Sequence, residues 1–158
     1  MTSRLPDDAT AAADVADGER TISLSEGRYL CGLLQLTLAG EPPVGTTELA
    51  AHLGVSAASV TETIDGFERR GLVAHEPYCG AELTERGESA AREFRWRQCT
   101  VQQFFEHTSG VQLRDDQAYR IGRLLSEADV RALCEFDDQP CLGRCEETSV
   151  DGCHVLAT

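Results

Sequence analysis

Apolar residues along this chain change their spacing twice, from helical to extended and back to helical. Tyr29, Leu30, Leu33, Leu34 and Leu36 form a stripe at helical spacing, which predicts a helix from a cap at Ser25 to about Ala39. Gly40 ends it, and Pro42–Pro43 keeps it from resuming. A short second helix is expected from an N-cap at Thr47, with Leu49, Ala50 and Leu53 inward and Gly54 closing it. Ser56 caps a third, to about Arg70, whose inward positions Val60, Ile64 and Phe67 follow i, i+4, i+7 spacing. After Gly71 the spacing becomes extended. Leu72–Val73 and Ala81 with Leu83 flank a turn at Tyr78-Cys79-Gly80, a β-hairpin pattern. Thr84 then caps a long helix to about Glu106, with a stripe of Ala90, Ala91, Phe94, Val101, Phe104 and Phe105. Two shorter helices are expected at about 113–125 and 127–137.

Two helices joined by a tight glycine-containing turn form a helix-turn-helix, and the hairpin behind them is a wing. The predicted fold class is therefore mainly α with a small β-hairpin wing: a winged helix-turn-helix followed by a helical segment. A helix of roughly 30 Å after so small a unit usually pairs with another subunit, so the later helices read as a dimerisation segment. The expected organisation is an acidic disordered tail at 1–21, a DNA-binding domain at 22–84, a helical dimerisation domain at 85–137 and a Cys-rich tail at 138–158.

Charge complicates this picture. There are 27 acidic residues against 14 basic ones, a net charge of −13, and every basic residue is Arg. Acidity without Lys fits a protein of a salt-rich cytoplasm, as in a halophilic archaeon; a GC-rich genome would also favour Arg. Net acidity ordinarily argues against nucleic acid as a partner. At high salt that objection weakens, because counterion release then adds little to affinity and local base contacts decide. With no apolar run long enough for a membrane span and no secretory pattern, the expected location is cytoplasmic. No acid/base pair, nucleophile arrangement or phosphate loop suggests an enzyme.

The stretch from Tyr29 to Phe105 resembles the DtxR/MntR family of metal-dependent repressors. The resemblance is carried by Glu48-Leu49-Ala50, Leu53-Gly54-Val55 and the run from Ser56 to Gly71 with its Ser59-Val60-Thr61. It continues through Leu72-Val73, Tyr78, Gly80, Leu83-Thr84 and Arg86-Gly87. The resemblance implies a homodimer on a pseudopalindromic double-stranded DNA operator, loaded with iron or manganese, with the third helix in the major groove. Ser56, Ala58, Ser59 and Glu62 would face bases. The helical wheel agrees in part, turning Ala58, Glu62 and Arg69 outward. Ser56 and Ser59 can donate to bases or phosphates, whereas Glu62 can only accept, as from cytosine N4. Thr47, Arg69 and Arg70 complete the expected DNA-binding set. The plain alternative is a capped, solvated helix face.

Family ligand positions fall on Arg28, Cys31, Gln98, Tyr119, Gly122 and Arg123. The family's Glu-His pair is replaced by Gly122-Arg123, which offers no ligand and adds a cation. Cysteine is the remaining chemistry. Seven cysteines in a reducing compartment suggest metal or redox chemistry rather than disulfides. Cys141, Cys145, Cys153 and His154 lie in a segment with no core to pack, and could wrap a transition metal or an Fe–S cluster, or serve as a zinc clamp or thiol switch. Cys134, Cys31 and Cys99 are further candidate ligands, each also readable as a small buried core residue. Cys79 would sit at the wing tip. The expected function is a sequence-specific regulator of iron or manganese homeostasis. Its cysteines would sense metal, cluster supply or oxidant and alter the spacing of the two recognition helices. The alternative is a metal-binding interaction protein whose winged helix docks protein instead of DNA.

Overall fold

The computed structural model describes residues 21–138. Six helices and one hairpin follow in the order α1 (Leu24–Ala39), α2 (Thr46–Leu53), α3 (Ala57–Arg69), β1 (Val73–Glu76), β2 (Gly80–Leu83), α4 (Glu85–Ser109), α5 (Asp115–Leu124) and α6 (Glu127–Phe136). The element order and types follow the hydrophobic pattern. Two caps do not. Ser23, not Ser25, caps α1, its hydroxyl accepting from the Glu26 N–H at 3.1 Å while Glu26 accepts from the Ser23 N–H at 3.0 Å. This reciprocal box satisfies two amide donors at once, an advantage Ser25 lacks. Gly45, not Thr47, precedes α2, and no side chain caps it. The chain entry is fixed instead by Val44, which exchanges two backbone hydrogen bonds of 2.8 Å with Ala81 of the wing.

The DNA-binding half closes around Leu30, Leu33, Leu34, Val44, Leu49, Val60, Ile64, Phe67 and Val73, with Ala91 of α4 reaching into the same core. β1 and β2 pair antiparallel, Val73 opposite Leu83 and His75 opposite Ala81. A second core lies further along α4, where Trp96 packs with Val130 and Cys134 of α6. Burial on α4 is broader than its predicted stripe, taking in Trp96, Gln98 and Thr100 as well as Ala91, Phe94 and Val101. The reason is that α1, α5 and α6 all pack on α4, so no single face is the inner one.

The joint between the wing and α4 is tight. Thr84 caps α4, its hydroxyl accepting from the Gly87 N–H at 3.0 Å and donating to the Gly71 carbonyl at 2.7 Å. Its N–H reaches the Leu72 carbonyl at 3.0 Å. A Cβ on Gly87 would overlap that same carbonyl. At the other end, Arg97 Nη1 donates to the carbonyls of Gly122 and Leu125 at 3.1 and 2.9 Å, serving acceptors that the end of α5 leaves without partners. Among the described residues no helix is long and apolar enough to cross a membrane.

Candidate nucleic-acid interface

Helix α3 has one buried edge, Val60, Ile64 and Phe67, and an exposed face. Ser56, Ala57, Ala58, Ser59, Thr61, Glu62, Asp65, Glu68 and Arg69 are exposed. Ser56 caps the helix by accepting from the Ser59 N–H at 3.1 Å, and the two hydroxyls lie 2.9 Å apart. That pairing leaves donors and acceptors at the helix N-terminus, where backbone amides also favour an anion. Thr61 and Thr63 donate instead to the carbonyls of Ala57 and Ser59. Thr47 is exposed in the first turn of α2. The wing strand β1 packs on α3. The wing tip carries Tyr78, fully exposed in the left-handed backbone region at φ 66°, next to exposed Cys79.

Arg69 is exposed as expected, but Arg70 is committed elsewhere. Its Nη1 lies 3.2 Å from Glu26, and its side chain is only 22% exposed. Glu26 is also the residue that closes the α1 cap, so this ion pair ties the end of α3 to the start of α1. The exposed face therefore carries Glu62, Asp65 and Glu68 with Arg69, an acidic balance for a DNA-facing helix.

The residues at the family's metal positions do not form a ligand set. At the junction of α1, α4 and α5 the Phe94 ring lies where any side chain at Gly27 would have to go. Phe94 packs on Tyr119 with ring centres 5.7 Å apart, and the Arg123 guanidinium lies 5.7 Å over the Tyr119 ring. The Tyr119 hydroxyl donates to the Ile22 carbonyl at 2.8 Å, just ahead of α1. Arg28 lies 3.9 Å from Asp115. An aromatic pair under a cation is poor in lone pairs and repels a metal ion, so the junction does not fit Fe²⁺ or Mn²⁺.

The thiols among the described residues are dispersed. Cys31 is buried, with Sγ 3.8 Å from the Ala91 carbonyl. Cys99 lies eight residues beyond Ala91, about 12 Å along α4, and accepts from Gln103 at 3.3 Å. Cys31 therefore meets α4 about two turns before Cys99. Cys134 is fully buried in the second core, 3.3 Å from the Thr100 hydroxyl. Cys141, Cys145, Cys153 and His154 lie outside the described residues. Among the described residues, one trio of potential ligands converges: Asp65, Glu68 and His75. Residue spacing along the chain does not reveal it, since six residues and a turn lie between Glu68 and His75.

A helix-turn-helix with its second helix exposed, followed by an antiparallel wing, defines a winged-helix DNA-binding protein. Residues 26–81 match the family described as iron dependent repressor, N-terminal DNA binding domain. An HTH-type transcriptional regulator of Methanocaldococcus jannaschii is 31% identical over 96 residues, which cover 60% of this chain and 77% of that protein. The chain belongs to this family of DNA-binding transcriptional regulators, the DtxR family, and not to a family of enzymes. The fold is similar to that of the manganese regulator SloR (TM-score 0.57, 19% identity) and of ScaR with bound Zn²⁺ (0.57, 21%), with 73% of this chain covered in each case. It is also similar to IdeR of T. acidophilum (0.60, 19%), with 80% covered. The chain spans 54% to 58% of the length of these three structures.

Proposed function

We propose that this protein is a sequence-specific regulator that binds a double-stranded DNA operator as a homodimer in the cytoplasm, and that it serves iron or manganese homeostasis. The observation that carries the DNA reading is the exposed face of α3 from Ser56 to Glu62, with the strand β1 of an exposed-tipped wing packed on the same helix. Ser56, Ala58, Ser59 and Glu62 meet base edges, while Thr47 and Arg69 contact the backbone. Arg70 joins them only by leaving Glu26. Dimerisation is supported by an apolar end: Phe136 is 75% exposed and packs on Phe104, which packs on Phe105, with ring centres 5.8 and 5.9 Å apart.

The effector acts differently from the family's usual metal, because the α1–α4–α5 junction is filled. What supports a cysteine sensor is the chemistry of Cys141, Cys145, Cys153 and His154, a soft donor set suited to a transition metal, an Fe–S cluster or zinc. Selection of bound duplexes from a random pool by the full chain tests the DNA reading, and should return a two-fold symmetric site. Ser59→Ala or Glu62→Gln should relax the preference at one base pair per half-site by about 1–3 kcal/mol. Arg69→Ala should weaken all duplexes alike. A pool returned without enrichment would overturn it. Metal and acid-labile sulfide assays on anaerobically purified protein test the cysteine part. A triple Cys141→Ser, Cys145→Ser, Cys153→Ser variant that responds to metal and oxidant like the parent would refute it.

A further inference from the structure

The trio Asp65, Glu68 and His75 joins two elements that meet DNA. Asp65 and Glu68 stand one helical turn apart on α3, and His75 lies on β1 across from them. One ligand atom from each lies within 4.8 Å of the other two. Ligands on one first-row cation, at bond lengths of about 2.0–2.2 Å, lie up to about 4.4 Å apart, so a small side-chain adjustment closes the set. None of the three side chains has a hydrogen bond or ion pair among the described residues. Two carboxylates near the C-terminal, negative end of a helix repel each other and the helix dipole, and neither pairs with Arg69, the basic residue of that last turn. The imidazole makes this more than an acidic patch. It adds the nitrogen donor that borderline divalent cations seek, alongside hard oxygen donors.

We infer that Asp65, Glu68 and His75 form a divalent-cation site that fastens the wing strand to the recognition helix and controls the charge of the DNA-facing edge. A bound Mn²⁺ or Zn²⁺ brings two positive charges against the two carboxylates. The edge of α3 beside Glu62 then repels phosphate less, and the wing is held at one distance from the helix. The site shares no residue with the filled junction or with the C-terminal thiols. Its donors favour Mn²⁺ in a way that a thiolate cluster does not.

The test uses the full chain, stripped with chelator and titrated with Mn²⁺. Free Mn²⁺ is followed by its EPR signal, and binding of a duplex is measured in parallel. The expected result is a Mn²⁺ site lost in His75→Gln and in the double variant Asp65→Asn, Glu68→Gln, each with at least about tenfold weaker binding. In parent protein, Mn²⁺ should raise duplex affinity about tenfold, and in both variants it should leave duplex affinity unchanged. The His75 side chain takes no part in the hairpin ladder, so His75→Gln should melt like the parent in chelator, which separates loss of the site from loss of the fold. Parent-like Mn²⁺ binding by His75→Gln overturns the proposal, as does a parent protein that binds neither Mn²⁺ nor Zn²⁺ outside its cysteines. Duplex binding in chelator tests DNA recognition on its own, so failure of the cation site and failure of DNA binding are distinguishable.

Discussion

Gly87 shows how much one missing side chain can decide. Any Cβ there would overlap the Leu72 carbonyl, and a backbone atom has no rotamer by which to yield. Gly87→Ala should therefore destabilise the protein by about 2–3 kcal/mol despite alanine's better helix propensity, read as a lower urea midpoint. Part of this was legible in advance: Thr84 followed by Arg86-Gly87 marks the start of α4, and Thr84 caps it as expected. The reason for glycine was not legible, because the atom it spares belongs to a residue 15 positions earlier. The same limit explains Arg70. It belonged to the expected DNA-binding set, yet its partner is Glu26, on an element whose position only the folded chain reveals. The trio of Asp65, Glu68 and His75 was hidden for the same reason.

Among the described elements, the hydrophobic pattern located each helix and the hairpin, because each buries a face whose period survives in the sequence. It was weakest on α4, where packing on several sides erased a single stripe, and at the starts of α1 and α2. Helix α6 offers a direct test of local capping. Ser126 and Asp129 form a reciprocal box, the Asp129 carboxylate accepting from the Ser126 N–H at 2.9 Å. Hydrogen bonds from the Ser126 backbone and hydroxyl hold the Asp129 carboxyl below its usual acidity value. A depressed folded value means the stabilisation is fully present above the ordinary aspartate range. It is lost as pH falls through the lowered folded value. Amide exchange at the start of α6 should therefore quicken only in that acid window. Asp129→Asn should exchange faster at neutral pH and show no such acid step; an acid step retained in the variant would assign it elsewhere.

For the whole molecule, the proposed dimer and the DNA reading are linked through the apolar end formed by Phe104, Phe105 and Phe136. Phe136→Asp should leave the winged helix folded but halve the mass seen by sedimentation. Affinity for a two-site duplex should then fall at least about 100-fold, while binding to a single half-site should be nearly unchanged. An unchanged mass would place the contact on another surface. The double role of Thr84 has a mechanical consequence. Its hydroxyl holds Gly71 at the base of the wing and Gly87 in the first turn of α4, so there is no compliant hinge between the part that touches DNA and a rod about 37 Å long. The rod acts as a lever with its short arm in the groove. A tilt of α4 too small to disturb its own packing swings the far end by ångströms, and a partner gripping that end would set the reach of the reading head as the jaws of a calliper are set from the handle.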